Sequence, residues 1–169
     1  MNGYKVRNIE LKRFYVPGQI YFITTISEIR RKIFIDEENI GILLETFQMY
    51  REKYRFKLIA YVILPDHFHF MIIPSKEINI SKIMKGIKGS SARNINRSKG
   101  WKNSIWQHQF LDHIIRKGDD YKKHIEYIHN NPIKHQLADS NSIQKYKWSS
   151  YRNYFLDDDS VFKVDIVPL

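Results

Sequence analysis

"FKLIAYVILPDHFHFMIIPS", residues 56–75, holds two apolar runs separated by Pro65-Asp66. A proline and an aspartate between runs rich in β-branched and aromatic residues mark a tight turn, so the stretch predicts two antiparallel strands. The second run carries His67 and His69, two residues apart. Side chains at alternate strand positions share a face, so the imidazoles stand side by side while Phe68 and Phe70 fill the opposite, core-facing side. Two neutral imidazoles on rigid backbone have the geometry of a metal-ligand pair. The competing reading has them merely hydrogen-bonded on a half-exposed sheet face.

Upstream, "QIYFITTIS" (19–27) reads as a strand, and "DEENIGILLETFQMYREKY" (36–54) as an amphipathic helix behind an Asp36 cap, with Ile40, Leu43, Leu44 and Phe47 at helical spacing. Downstream, Ile80, Ile83, Met84 and Ile87 mark a second amphipathic helix with a basic opposite face, its later part weakened by Gly86, Gly89 and Ser90-Ser91. "SIWQHQFLDHIIRK" (104–117) reads as a strand or extended segment, and "DDYKKHIEYIHNN" (119–131) as a helix ending at Pro132. The order β-α-β-β-α-β plus a further helix predicts an α+β fold: a ferredoxin-like antiparallel sheet sandwich, with an added C-terminal helix carrying Tyr127. The closing stretch "YKWSSYRNYFLDDDSVFKVDIVPL" is dense in aromatics, carries the acidic cluster Asp157-Asp158-Asp159, and has no regular period.

With 169 residues, 43% hydrophobic and 14% aromatic, the chain predicts a single domain over 1–169. Its core spans about 19–154, between a short N-terminal arm and the acidic tail. The absence of cysteine excludes disulfides and thiolate metal sites and fits a reducing compartment. The N-terminus lacks an apolar leader, and the longest apolar run, Leu58 to Leu64, is far shorter than a membrane span. The expectation is a soluble, cytoplasmic protein with no membrane partner.

Lys and Arg number 28 against 18 Asp and Glu, a net charge of +10, the balance of a polyanion binder. Between Lys76 and Asn103 the basic residues Lys76, Lys82, Lys85, Lys88, Arg93, Arg97, Lys99 and Lys102 face Glu77 alone. This is either a phosphate-tracking surface or a solvated helix face.

Tyr127 and Asn131 are four apart and so stack on one face of their helix. An amide oxygen is a hard ligand suited to Mg²⁺ or Mn²⁺, and a phenolate can attack phosphorus to form a covalent phosphotyrosine. Ordinary packing is the alternative for both. His124, one turn before Tyr127, is placed to assist proton transfer; Lys123 is placed to touch phosphate or simply to face solvent.

"VILPDHFHFMI" resembles the His-hydrophobic-His strand of the single-tyrosine HUH transposases, and "YIHNNPIKHQL" is similar to their tyrosine helix. The Tyr-Ile-x-x-Asn-Pro ending, with "WQHQFLDHIIR" and "YKWSSYRNY", resembles the REP-associated tyrosine transposase branch. The likeness runs from about Gln19 to Tyr154. It implies that His67, His69 and Asn131 are the metal ligands, Asn131 standing where insertion-sequence relatives commonly have Gln, and that Tyr127 is the nucleophile. It further implies a divalent cation, Mg²⁺ or Mn²⁺, and single-stranded DNA with an imperfect hairpin as partner. The implied reaction is transesterification through a 5′-phosphotyrosine, by a monomer or, as in shorter relatives, a homodimer. Under that reading Lys82, Lys85, Lys88, Arg93, Arg97, Lys99 and Arg116 contact DNA, and Trp106, with Trp101 nearby, stacks on unpaired bases; core or hinge packing is the alternative for both tryptophans.

Two rivals remain. A non-catalytic ferredoxin-like RNA-binding module explains the charge but leaves His67, His69 and Asn131 unrelated. A metal phosphodiesterase would want a third strand histidine, where this chain has Met71.

Overall fold

The Pro65-Asp66 pair turns β2 (Lys57–Leu64) directly into β3 (His67–Ile73), with Leu64 opposite His67. The structure, a computed structural model, describes residues 15–116 and 118–167; the N-terminal arm lies outside them up to Phe14. β1 (Ile20–Ile26) pairs antiparallel with β3 on one side and with β4 (Leu111–Ile115) on the other, giving the sheet order β2-β3-β1-β4. With α1 (Glu37–Tyr54) between β1 and β2 and α2 (Ile80–Lys99) between β3 and β4, this is the ferredoxin-like βαββαβ arrangement with α3 (Asp119–Lys134) added.

The alternation of strand side chains builds two different faces. Tyr21, Ile23, Phe68, Phe70 and Ile72 pack under α1 and α2 against Ile40, Leu43, Phe47, Ile83, Met84 and Ile87, all buried. On the reverse face, Ile20, Ala60, Val62, Leu64, Met71 and Ile115 pack against Tyr121 and Ile128 of α3. β3 is therefore buried on both sides, and the strand reads as a nearly continuous apolar run for that reason.

Asp36 caps α1 as its sequence implies, accepting from the Glu38 amide at 3.0 Å. Helix α2 does not weaken at its glycines and serines: it runs unbroken to Lys99 and stops at Gly100, whose φ of 66° suits a glycine terminator. Tertiary packing overrides propensity here. Tyr50 of α1 occupies the space over Gly86, where a Cβ would meet ring carbons at 2.4 Å, and Ser91 turns its hydroxyl onto the Ile87 carbonyl at 2.7 Å.

Pro132 lies inside α3, which continues to Lys134. The proline forfeits one helical bond, while its own carbonyl accepts from Leu137 at 2.8 Å and Ala138 at 3.3 Å. Among the described residues 104–116 only Leu111–Ile115 is a strand, with Trp106 making an isolated bridge to Ser27.

The tail belongs to the core. Helix α4 (Tyr151–Leu156) is followed by an extended return in which Phe162 and Val164 are buried and Asp165 binds Arg51 at 2.7 Å and the Leu58 amide at 2.8 Å. Asp158 pairs with Arg152 and Asp159 accepts from Asn153, so the acidic cluster neutralises its own neighbourhood. Trp148-Ser149-Ser150 covers the free edge of β2: Ile63 donates to the Trp148 carbonyl at 2.9 Å and Ser150 to the Tyr61 carbonyl at 2.9 Å.

Candidate active site

His67 and His69 stand on the α3 face of β3, their ring centroids 5.0 Å apart. Each is held from behind through Nδ1. Asp66, the turn residue, binds His67 Nδ1 at 2.5 Å, and Thr24, the register partner of His69 on β1, binds its Nδ1 at 2.8 Å. Partial burial pushes the Asp66 carboxyl up, but the His67 ring and Arg30 together outweigh it and keep it below its ordinary range. An ionised Asp66 makes His67 Nδ1 the donor and leaves Nε2 as a lone-pair acceptor.

Both imidazoles are neutral near pH 7. Burial pushes His69 down to about 3, with the charges of His67, His135 and Lys134 adding to the effect. Burial also lowers His67, against the opposing pull of Asp66.

Helix α3 lays one stripe over the pair. Tyr127, Asn131 and His135 recur every four residues. The Tyr127 ring lies 5.4 Å from that of His69, and the His135 ring 5.0 Å from that of His67. Asn131, fully buried between them, donates through Nδ2 to the Tyr127 carbonyl at 2.6 Å, which leaves its Oδ1 with no protein partner. His69 Nε2 is the same, a buried polar nitrogen without a partner.

A buried acceptor left unpaired costs on the order of 1–3 kcal/mol, so two on one side of the sheet require an explanation. Thr25, Asn39, Asn96 and Asn153 carry the other unpaired buried side-chain oxygens among the described residues, each on a separate element. Two imidazole nitrogens and an amide oxygen make a donor set of the kind that suits a divalent cation such as Mn²⁺ or Mg²⁺.

Tyr127 is 39% exposed, an open side beside the buried His67, His69 and Asn131. Phe22 of β1 walls it: its ring stacks on His69 at 5.1 Å and meets Tyr127 edge-on at 5.8 Å. Lys134 Nζ lies 5.1 Å from the Tyr127 ring centroid, a cation beside the phenol.

Asp66, Thr24, Phe22, Lys134 and His135 were not legible as site residues. His135 follows Asn131 at helical spacing, a signal hidden by reading the helix as ending at Pro132. Asp66 is visible in "PDHFH", but a turn residue gave no sign of doubling as an imidazole holder.

The basic residues fall elsewhere. Helix α2 lies across the sheet from His67, His69 and Tyr127, so its charges do not face the site. Lys82, Lys85, Arg93 and Arg97 are exposed there, and Arg116 is exposed after β4. Three of the residues read as DNA contacts are engaged within the protein. Trp106 is 5% exposed, packed on Phe34 and Phe68 with Nε1 donating to Ser91 at 3.0 Å, so no face of it is open to a base. Lys88 donates to the Gln107 and His108 carbonyls at 2.8 and 2.9 Å, tying down the approach to β4. Lys99 is clamped by Asp36 and Glu38. Trp101 is half-buried, with the Arg31 guanidinium 5.8 Å from its ring centroid.

The profile of the family described as "Transposase IS200 like" matches residues 15–131, and the chain belongs to that family. It is 31% identical over 127 residues to the REP-associated tyrosine transposase of Escherichia coli strain K12, covering 75% of this chain and 73% of that one. A Haemophilus influenzae protein assigned to the same group is 29% identical over 150 residues, covering 83% and 84%. The solved structure of a REP-associated tyrosine transposase bound to a REP hairpin superposes with a TM-score of 0.73 at 26% identity, over 95% of this chain and 92% of that one. Among the described residues no helix is long and apolar enough to cross a membrane.

Proposed function

We propose that this transposase cleaves and rejoins hairpin-bearing single-stranded DNA by metal-assisted transesterification, with Tyr127 as nucleophile. The observation that carries the reading is the conjunction of an exposed phenol with two unpaired buried acceptors, His69 Nε2 and Asn131 Oδ1, on the same side of the sheet. His67, His69 and Asn131 would hold Mg²⁺ or Mn²⁺, which supplies a positive charge to polarise a non-bridging phosphate oxygen and orient the scissile group. The HUH label, with a single tyrosine, follows from that assignment.

The chain's own residues do the rest. Tyr127 Oη bonds to phosphorus as the P–O3′ bond breaks; the phenolic proton departs to solvent and the 3′-oxygen leaves as a hydroxyl. Rejoining is the reverse: a 3′-hydroxyl attacks the phosphotyrosine and the phenol is restored. The phosphoester bond is conserved throughout, so no nucleotide cofactor is consumed. Lys134 offers a counter-charge to the phosphate approaching the phenol. Asp66 and Thr24 fix the tilt of the two imidazoles, and Phe22 limits water on one side of the phenol.

Lys82, Lys85, Arg93, Arg97 and Arg116 would contact phosphates away from the scissile bond. The hairpin of the solved relative is the precedent for the partner of this chain. A monomer is the reading favoured over a homodimer that shares helices, since α3 packs on its own sheet through Tyr121 and Ile128. The soluble cytoplasmic reading accords with a DNA substrate. A non-catalytic RNA-binding sheet would leave a face open for base stacking, whereas here α3 covers one face and α1 with α2 the other.

The test is incubation with Mn²⁺ or Mg²⁺ and labelled hairpin-bearing single-stranded DNA, followed by denaturing electrophoresis. A covalent adduct that Tyr127→Phe abolishes supports the reading. Cleavage without an adduct overturns the mechanism, and an adduct formed by Tyr127→Phe overturns the residue.

A further inference from the structure

A second cluster of ligand-type side chains lies on the same side of the sheet, one strand further from His69. His113 on β4 is the register partner of Phe22 on β1, and α3 brings Asp120 and His124 over it. One ligand atom from each of His113, Asp120 and His124 lies within 4.8 Å of the other two. The rings of His113 and His124 have centroids 4.7 Å apart.

We propose that His113, Asp120 and His124 form a separate transition-metal site, taking Zn²⁺, that joins β4 to the first turns of the tyrosine helix. Ligand atoms around a tetrahedral Zn²⁺ are about 3.3 Å apart, given bond lengths of roughly 2.0–2.1 Å. The three ligand atoms already lie within 4.8 Å of one another, and His113 is exposed, with room to change rotamer toward that spacing.

The chemistry of the three groups agrees. His124 Nδ1 donates to the Asp120 carbonyl at 2.8 Å, the arrangement that leaves the other ring nitrogen as an acceptor. The Arg116 amide donates to Asp120 Oδ2 at 2.6 Å, and that bond, with smaller contributions from His124 and His113, holds the carboxyl below its ordinary range. Two imidazoles and one carboxylate are a common zinc donor set with a fourth position open to water. Its third donor is a carboxylate, where the site at His67, His69 and Asn131 has an amide oxygen.

The placement gives such an ion a consequence. Phe22 has His124 on one side at 5.0 Å and His69 on the other at 5.1 Å, and Tyr127 follows His124 by three residues on α3. An ion tying His124 to β4 would fix the part of the helix immediately before the phenol.

The experiment is Zn²⁺ titration of the full chain with His67→Ala and His69→Ala, which removes the competing imidazoles, read by binding stoichiometry and by the thermal midpoint. The expected result is one equivalent of Zn²⁺ and a midpoint that rises with its concentration. Adding His113→Asn should weaken binding by at least about tenfold, the loss that even an outer hydrogen-bond partner of a ligand produces. Its metal-free midpoint should be unchanged, since His113 is exposed. In the chain that keeps His67 and His69, His113→Asn alone should lower the Zn²⁺ stoichiometry by one equivalent. Absence of Zn²⁺ binding in the doubly substituted chain overturns the proposal, and so does affinity unchanged by both His113→Asn and Asp120→Asn.

Discussion

The two faces of one sheet differ in what they bury. Under α1 and α2, β1 and β3 contribute Tyr21, Ile23, Phe68, Phe70 and Ile72 to an aromatic and aliphatic core. Under α3, the alternate residues of the same strands are Phe22, Thr24, His67, His69 and Met71, and the face leaves His69 Nε2 buried without a partner. A period of two therefore lets a single strand put an apolar core on one side and the candidate ligands on the other.

Truncation should separate the faces most sharply. Phe70→Ala removes a fully buried ring that meets Phe47 at 4.2 Å between centroids, and should lower unfolding free energy by about 3–5 kcal/mol in urea titrations. His69→Ala, on the other face, deletes an unpaired buried polar atom and should cost far less stability while removing strand cleavage. If both substitutions were equally destabilising, the division of labour would not hold.

Acid should weaken the α3 side. His69 titrates near 3 and His129 near 4 in the fold, both pushed down by burial from 6.5. The unfolded chain therefore binds the protons that the fold refuses. The stability these neutral rings contribute is complete above pH 6.5 and is lost as pH falls toward 4, with a limiting slope of about 1.4 kcal/mol per pH unit for each ring. Equilibrium unfolding at stepped pH measures it; a profile flat from 7 to 4 would contradict the burial argument.

Smaller effects test the supports. Asp66→Asn keeps a partner for His67 Nδ1 but removes the charge, and should weaken Mn²⁺ binding roughly 10- to 100-fold in calorimetry. Lys82→Ala with Lys85→Ala should reduce DNA affinity for any sequence and lower the slope of log affinity against log salt by about one per residue that contacts phosphate. Single-turnover cleavage of saturated substrate should be unchanged, because those lysines lie across the sheet from Tyr127.

The fold was largely legible because its signals are local: Pro65-Asp66 between two apolar runs, the Asp36 cap, and helical spacing at Ile80 to Ile87. Strand pairing was not, since element order leaves it open, and Phe162 and Val164 joined the core from a tail with no period to announce them. In the candidate site, His67, His69, Tyr127 and Asn131 could be put forward from spacing and resemblance, and the structure brings them to one side of the sheet. What spacing could not give was side: an amphipathic stripe says which residues are buried and not which face of the sheet buries them, so the basic helix could not be placed relative to the phenol. Trp106 stayed open between stacking and core for a related reason, because a tryptophan in an irregular segment carries no period to distinguish core from surface; the structure buries it.

The most direct measurement is to map the protein–DNA adduct. After reaction with hairpin-bearing single-stranded DNA and nuclease trimming, proteolysis and mass spectrometry should find a 5′-linked nucleotide on Tyr127 alone. The modification should be absent when the cation is chelated. A nucleotide carried by Tyr121, Tyr151 or any other residue, or a modification indifferent to chelation, would contradict the account.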